Sequence, residues 1–283
     1  MTSSYKHIGF VGAGNMGEAI LGALIGAEIS APENISVSDI SEDRLNWMRD
    51  TYGVGTLTDN GRLFRESDIV VLAVKPQQMD TVLSRIVAGE GYGVENRKLV
   101  ISIAAGVRME KIEAHLYDPL DAAQRERLPI IRVMPNTPAL VRAGISGMSP
   151  NRHAVEADID AARTLLEATG QVIAFDEASL DAVTGLSGSG PAYIFYLIEA
   201  MTEGGIRAGL SPENAAALTV ATVDGAVKLL MAKDESPESL RKKVTSPGGT
   251  TEAALKVLDS NQVRRHIADA VVAAAERAEE LSR

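Results

Sequence analysis

Two glycine-containing turns hold most of the residues that could do chemistry in this chain, and each opens a helix. The first follows an apolar strand: His7-Ile8-Gly9-Phe10-Val11 runs into Gly12-Ala13-Gly14-Asn15-Met16-Gly17. At this spacing the first glycine permits the tight bend, the second lets backbone N–H groups approach a pyrophosphate, and the third lets the helix pack closely on the strand. The helix N-terminus adds partial positive charge for an anion. Apolar residues at helical spacing through Glu18-Ala19-Ile20-Leu21-Gly22-Ala23-Leu24 continue the pattern, so a dinucleotide site is expected here. The second turn is Val244-Thr245-Ser246-Pro247-Gly248-Gly249-Thr250-Thr251. Free N–H groups around Gly248, Gly249 and Thr250, with hydroxyls from Ser246, Thr250 and Thr251, would hold a carboxylate without a buried arginine. A plain helix cap on a flexible turn fits the same residues by composition, but a hydroxyl-rich turn is unique in this otherwise monotonous helical region, which favours the pocket.

Between the turns stand residues at the ends of predicted strands. Asn34-Ile35-Ser36-Val37-Ser38-Asp39 reads as a strand closing on an acid about 20 residues beyond Gly17, the spacing of a carboxylate that accepts from the adenosine ribose hydroxyls. Such an acid favours NAD over NADP, although Arg44, Ser38 and Ser41 are near enough in sequence to meet a 2′-phosphate. The alternative is that Asp39 with Ser41 only begins the helix that follows. The run Asp68 to Val74 reads as a strand buried on both faces and ends at Lys75-Pro76, which puts a lysine at the tip where open α/β sheets bind ligands. Another buried strand ends in Ala104-Ala105-Gly106, small residues that let a flat ring come close. A third ends in Met134-Pro135-Asn136-Thr137-Pro138, where Asn136 could bond to the nicotinamide side.

The elements that must position these residues alternate strand and helix as far as Gln171-Val172-Ile173-Ala174-Phe175, giving a doubly wound parallel sheet. Beyond that the chain is helix after helix, rich in alanine and leucine. Ser187-Gly188-Ser189-Gly190-Pro191, Ser211-Pro212 and Ser236-Pro237 mark helix starts. An α/β fold is therefore expected: a Rossmann-like nucleotide-binding domain over 1–175 and an all-α domain over 176–283. The wide, small-residue faces of Ala215, Ala216, Leu218, Ala221 and Ala226 call for a partner surface, hence an oligomer.

Composition removes several classes. A net charge of −10 opposes attraction to nucleic acid or anionic membrane, and 4% aromatic residues leave no base-stacking platform. The absence of cysteine excludes disulfides and thiolate ligands, and the four histidines lack paired metal-ligand spacing. No apolar run is expected to reach the roughly 20 residues of a membrane span, so the reading is a cytoplasmic protein without metal.

The sequence resembles the pyrroline-5-carboxylate reductases over nearly its whole length. The resemblance is carried by Gly12–Gly17, Ala73-Val74-Lys75-Pro76, Ser102-Ile103-Ala104-Ala105-Gly106, Met134 to Pro138 and, as the two specific motifs, Ser187 to Tyr193 and Thr245 to Thr251. It implies a helical domain that dimerises by interleaving with its mate, a larger ring such as a decamer, and a substrate pocket completed by that mate. It also implies roles. Gly12, Ala13, Gly14, Asn15, Met16 and Gly17 would bind the cofactor phosphates and Asn60 the adenosine ribose. Ala73, Val74, Lys75, Pro76, Ala104, Ala105, Gly106 and Asn136 would line the nicotinamide half. Ser246, Gly249, Thr250 and Thr251 would hold the substrate, with Thr184 near it. Thr251 Oγ would bond to the ring nitrogen of pyrroline-5-carboxylate on its way to proline, with NADPH or NADH as reductant and Lys75 beside it. Asp39 departs from members with a small hydroxyl residue there, which puts their NADPH preference in question. The related β-hydroxyacid dehydrogenases place a lysine one turn into a helix, and Pro191-Ala192-Tyr193-Ile194-Phe195-Tyr196-Leu197-Ile198 has none.

Overall fold

The structure is a computed structural model, and it describes residues 6–282. In chain order the elements are β1 (Ile8–Val11), α1 (Asn15–Gly26), β2 (Ile35–Ser38), α2 (Glu42–Tyr52), β3 (Gly55–Leu57), α3 (Asn60–Glu66), β4 (Ile69–Leu72), α4 (Met79–Val87), β5 (Leu99–Ser102), α5 (Met109–Tyr117), α6 (Ala122–Glu126), β6 (Ile130–Met134), β7 (Gly144–Pro150), α7 (Glu156–Glu167) and β8 (Gly170–Ala174). There follow α8 (Leu180–Val183), a π-helical turn (Thr184–Gly188), α9 (Gly190–Arg207), α10 (Pro212–Ala232), α11 (Pro237–Lys243), α12 (Thr250–Ser260) and α13 (Val263–Ser282).

The strands form one sheet in the order β3-β2-β1-β4-β5-β6-β7-β8. Pairing is parallel from β3 to β6, with Ile8 opposite both Ile35 and Ile69. The expected parallel sheet is thus confirmed at its centre and corrected at one edge: β7 runs antiparallel to β6, with Arg132 opposite Ser149, and β8 follows β7 in parallel. Side chains alternate across the sheet, so each face has its own core. Phe10, Val37, Val71 and Ile101 pack with Ile20, Leu24 and Leu165 on one side. Val11, Val70, Leu72 and Val100 pack with Leu63, Leu83 and Ile112 on the other. Strands buried on both faces are the mark of helices wound on both sides.

Two compact units make up the chain. The nucleotide-type unit extends through Gly188 and takes in the chain again from Ala274. It passes the end of β8 because the next segment is bound to the sheet. Arg132 on β6 is buried and pairs with Glu177 at 3.1 Å and Asp181 at 3.5 Å, and Leu180 is fully enclosed.

The second unit, Ser189–Ala273, is helical and owns almost no interior. On α9 no residue is buried, and on α10 only Ala215 and Thr219 are. Ser211 and Ser236 cap α10 and α11 by accepting from Asn214 and Ser239 N–H groups, as the Ser-Pro pairs predict. Helix α10 corrects one expectation: within its 21 residues an 18-residue window reaches a mean hydropathy of 1.5, long and apolar enough to cross a membrane by length and composition alone. Within the chain only 11% of that stretch is covered.

Candidate active site

In the nucleotide-type unit the site forms at the carboxyl ends of β1, β2 and β4, where the strand order reverses between β1 and β4. The three glycines of the first turn do different work. Gly12 has φ +101°, and a Cβ there would lie 2.7 Å from the Ala73 carbonyl, so both conformation and space require glycine. Gly17 lies where a Cβ would meet the Gly12 carbonyl at 3.0 Å, which lets α1 pack against the turn. At Gly14 a Cβ would meet nothing within 4 Å, and the first hydrogen bond of α1 runs from Glu18 N–H to its carbonyl. The N–H groups of Asn15, Met16 and Gly17 take no partner among the described residues. An open cradle lined by unpaired N–H donors at a helix N-terminus fits a dinucleotide pyrophosphate.

A side-chain network braces this cradle. Asp39 accepts the Ala13 N–H at 2.7 Å through Oδ2 and the Ser41 N–H at 2.9 Å through Oδ1. Ser41 caps α2, so Asp39 joins the glycine turn to the start of that helix. Arg44 donates from Nε and Nη2 to the Ala13 carbonyl at 2.9 and 2.6 Å, and from Nη2 to Glu18 Oε2 at 2.5 Å. Glu18 also accepts from Trp47 Nε1 and the Tyr52 hydroxyl. Burial pushes the Glu18 carboxyl up, but the hydrogen bonds from Arg44, Trp47 and Tyr52 outweigh it and hold the group below its ordinary range. Burial and the Glu18 charge together raise Tyr52. The three candidates for a 2′-phosphate are therefore engaged within the protein: Arg44 with Ala13 and Glu18, Ser38 with Asn60, whose Oδ1 accepts its hydroxyl at 2.8 Å, and Ser41, whose hydroxyl accepts the Arg44 N–H at 3.3 Å.

Beside the cradle opens a cavity of about 520 Å³, within the range of small-molecule sites. Gly12, Ser38, Asp39, Ser41, Asn60 and Val74 line it, together with Gln78, which precedes α4, and Thr81 and Arg85 of α4. The sequence brought Gly12, Asp39, Asn60 and Val74 to this place; it gave no sign of the α4 wall. Ala73 is half-buried, Ala104 is buried and Ala105 is exposed at neighbouring strand tips. Lys75 is exposed at the start of a short 3-10 turn led by Pro76, and its ammonium takes no ion pair among the described residues.

Asn136 is buried and has a bonding pattern of its own. Its carbonyl accepts the Ile145 N–H at 2.9 Å and its amide points to Ser187 Oγ at 3.4 Å, linking the tip of β6 to β7 and to the π-helical turn. That turn corrects the expectation that Ser187 to Pro191 caps a new helix. Ser189 makes no side-chain cap, and the chain continues from α8 through Thr184–Gly188 into α9. Thr184 sits at the head of the turn with its hydroxyl donating to the Leu180 carbonyl at 2.8 Å. Insertions of this kind recur at functional sites.

In the helical unit the second glycine turn ends at Gly249, the residue that precedes α12. Two of its expected free donors are taken: Gly248, at φ +73°, donates to Glu252 Oε2 at 2.7 Å, and Gly249 donates to the Ser246 carbonyl at 3.0 Å. The open donors lie one step further on, where Thr250, Thr251 and Glu252 N–H have no partner among the described residues. The hydroxyls of Thr250 and Thr251 are unengaged there as well. The unpaired donors thus sit in the first turn of α12.

A doubly wound sheet with an open phosphate cradle at its switch point, continued by apolar helices without a core of their own, defines a dinucleotide-dependent oxidoreductase that assembles through its helical part. Residues 7–106 match the family described as NADP oxidoreductase, coenzyme F420-dependent, and residues 177–281 match pyrroline-5-carboxylate reductase dimerisation. The pyrroline-5-carboxylate reductase of Methanosarcina acetivorans is 41% identical over 278 residues, with 98% of each chain covered. Among solved structures, a pyrroline-5-carboxylate reductase from Coxiella burnetii is 40% identical at a TM-score of 0.86, covering 98% of this chain and 99% of that one. The Plasmodium falciparum pyrroline carboxylate reductase with NADP bound is 28% identical at a TM-score of 0.84, with both chains covered in full. The chain belongs to the pyrroline-5-carboxylate reductase family. It is an NAD(P)H-dependent oxidoreductase of a small-molecule substrate and a homo-oligomer.

Proposed function

We propose that the chain reduces L-1-pyrroline-5-carboxylate to L-proline with NADPH or NADH, the last step of proline biosynthesis. The observation that carries this reading is likeness to pyrroline-5-carboxylate reductases over 98% of the chain. The substrate is a cyclic imine whose nitrogen is protonated or readily protonated near neutral pH, so its C5 is electrophilic without a strong general acid. A reduced nicotinamide bound there would supply a hydride to C5 of the protonated imine, and the π electrons of the C=N bond would pass to nitrogen, which stays in the ring as a secondary amine.

The chain's own residues then bind and align. The Gly12–Gly17 cradle takes the pyrophosphate, with Asn60 and Asp39 at the adenosine ribose. Ala73, Val74, Lys75, Pro76, Ala104, Ala105, Gly106 and Asn136 bound the nicotinamide half, and Lys75 positions rather than protonates. The Thr250 and Thr251 N–H groups, with Ser246 and Gly249, hold the substrate carboxylate, and Thr184 lies nearby. Thr251 Oγ accepts the hydrogen on the ring nitrogen. In this reading residues up to 175 bind nucleotide, those from 176 onward bind substrate and dimerise, and dimers assemble into a ring such as a decamer. The protein works in the cytoplasm, apart from membranes and nucleic acid. The apolar length of α10 serves partner helices, in keeping with the dimerisation family that matches residues 177–281.

The deciding experiment follows oxidation of NADH and NADPH with pyrroline-5-carboxylate beside 3-hydroxyacids. Turnover with the imine alone is expected. Turnover with a hydroxyacid, or with neither, would sink the proposal.

A further inference from the structure

The cavity at the switch point contains a cation that the reading above does not use. Arg85 lies in the last turn of α4 and lines the same cavity as Asp39, and its guanidinium makes no hydrogen bond or ion pair among the described residues. Its setting differs from that of the other nearby arginines. Arg44 is held by the Ala13 carbonyl and Glu18, and Arg62 is paired with Glu66 at 2.8 Å. The backbone brings Arg85 to the ribose end of the site, since a Cβ on Gly61 would lie 3.6 Å from the Arg85 carbonyl and Gly61 follows Asn60. The cavity therefore has an acid on its β2 wall, already accepting two backbone N–H groups, and an uncommitted guanidinium on its α4 wall.

We propose that Arg85 is the residue that admits NADPH to this site, by pairing with the 2′-phosphate from the α4 side while Asp39 faces the 2′-hydroxyl of NADH. The proposal rests on the cavity being the adenosine half of the dinucleotide site. A guanidinium matches a phosphate in charge and in its two-pronged donor geometry, whereas a 2′-hydroxyl gains little from it. The pairing also explains how a chain with an acid at the end of β2 can accept both cofactors: the discriminating charge sits on another element.

The test is direct binding, independent of turnover. Kd values for NADPH, NADH, 2′,5′-ADP and 5′-AMP are measured by calorimetry at low and moderate salt with the wild type, Arg85→Gln and Arg85→Lys. Arg85→Gln is expected to weaken NADPH and 2′,5′-ADP by roughly 10-fold, the low end for a charge-assisted bond at an exposed position, and NADH and 5′-AMP by no more than about 2-fold. Arg85→Lys should recover part of the loss, and the loss should shrink as salt rises. Equal weakening of all four ligands would assign Arg85 to the pyrophosphate or to the fold, and equal affinity in all three proteins would leave it a solvated surface charge; either result overturns the proposal. If the wild type binds none of the four, the nucleotide reading of the cavity fails with it.

Discussion

Asp39 holds the backbone N–H of Ala13 at 2.7 Å, so the acid at the end of β2 is a brace of the phosphate turn as well as the nearest acceptor for a ribose. Each of its oxygens has a lone pair left after bonding Ala13 and Ser41. We expect NADH to be used at least as well as NADPH, and wild-type kcat/KM favouring NADPH more than tenfold would contradict this. Replacement with serine removes repulsion and brace together. Asp39→Ser should therefore move the preference toward NADPH while weakening both cofactors by about 10-fold or more, since hydrogen bonds to a charged group are worth about 1.5–3 kcal/mol.

At Thr251 the expected loss is in the chemical step. One hydrogen bond from the ring nitrogen to its hydroxyl predicts that Thr251→Ala lowers kcat/KM roughly 10- to 100-fold, with Thr251→Ser close to wild type. Cofactor affinity by fluorescence titration should stay within about threefold. Unchanged kcat/KM, or loss of cofactor binding along with turnover, would make the turn before α12 a structural cap.

The helical unit should be unable to stand alone. Phe195 on α9 is 60% exposed in the single chain and Leu218 on α10 is 56% exposed, surfaces that assembly must cover. Phe195→Asp is expected to dissociate the oligomer in light scattering, and the wild type should stay in the supernatant on ultracentrifugation despite α10. A variant of unaltered mass would place the interface elsewhere.

Stability should peak in mild alkali. Burial pulls the Lys98 ammonium down to about 8, against the opposing pull of Asp68, while its Nζ donates to the Ser67 carbonyl over the Phe64 ring. The folded pKa lies below the unfolded value near 10.4, so the cost of burying the charge is complete below pH 8 and disappears as pH rises to about 10, on the order of 3 kcal/mol. Burial pushes Tyr117 up to about 12, which reverses the sign: the folded state keeps a proton the unfolded chain loses, and stability falls above about pH 10. Urea melts at stepped pH should show that maximum, and Lys98→Met should flatten its lower limb. A flat wild-type profile between pH 8 and 10 would refute the assignment.

What the sequence made legible was local. The three glycines after β1, the serine caps of α10 and α11, and the apolar strands on both sides of the switch point depend on residues close in the chain. The misses are non-local. Segment Gly144–Pro150 has glycine, serine and a single β-branched residue, and it becomes a strand because β6 and β8 enclose it. The brace of Glu18, Arg44, Trp47 and Tyr52 joins two helices, and nothing in spacing announces it. A π-helical turn differs from an α-helical one only in which carbonyl each N–H reaches, so Thr184–Gly188 reads as ordinary helix start.

Helix α13 belongs to both compact units, beginning in the helical one and ending in the other. Near its end Leu281 lies 3.7 Å from where a Gly106 Cβ would be, and Ser282 Oγ donates to Asp181 at 3.2 Å. The helical unit is thus an insertion, left at one point of the nucleotide-type unit and closed at another. Trimming the last turns of α13 would look like shortening the assembly domain, yet the injury would fall on the loop after β5 and on the carboxylate that balances Arg132.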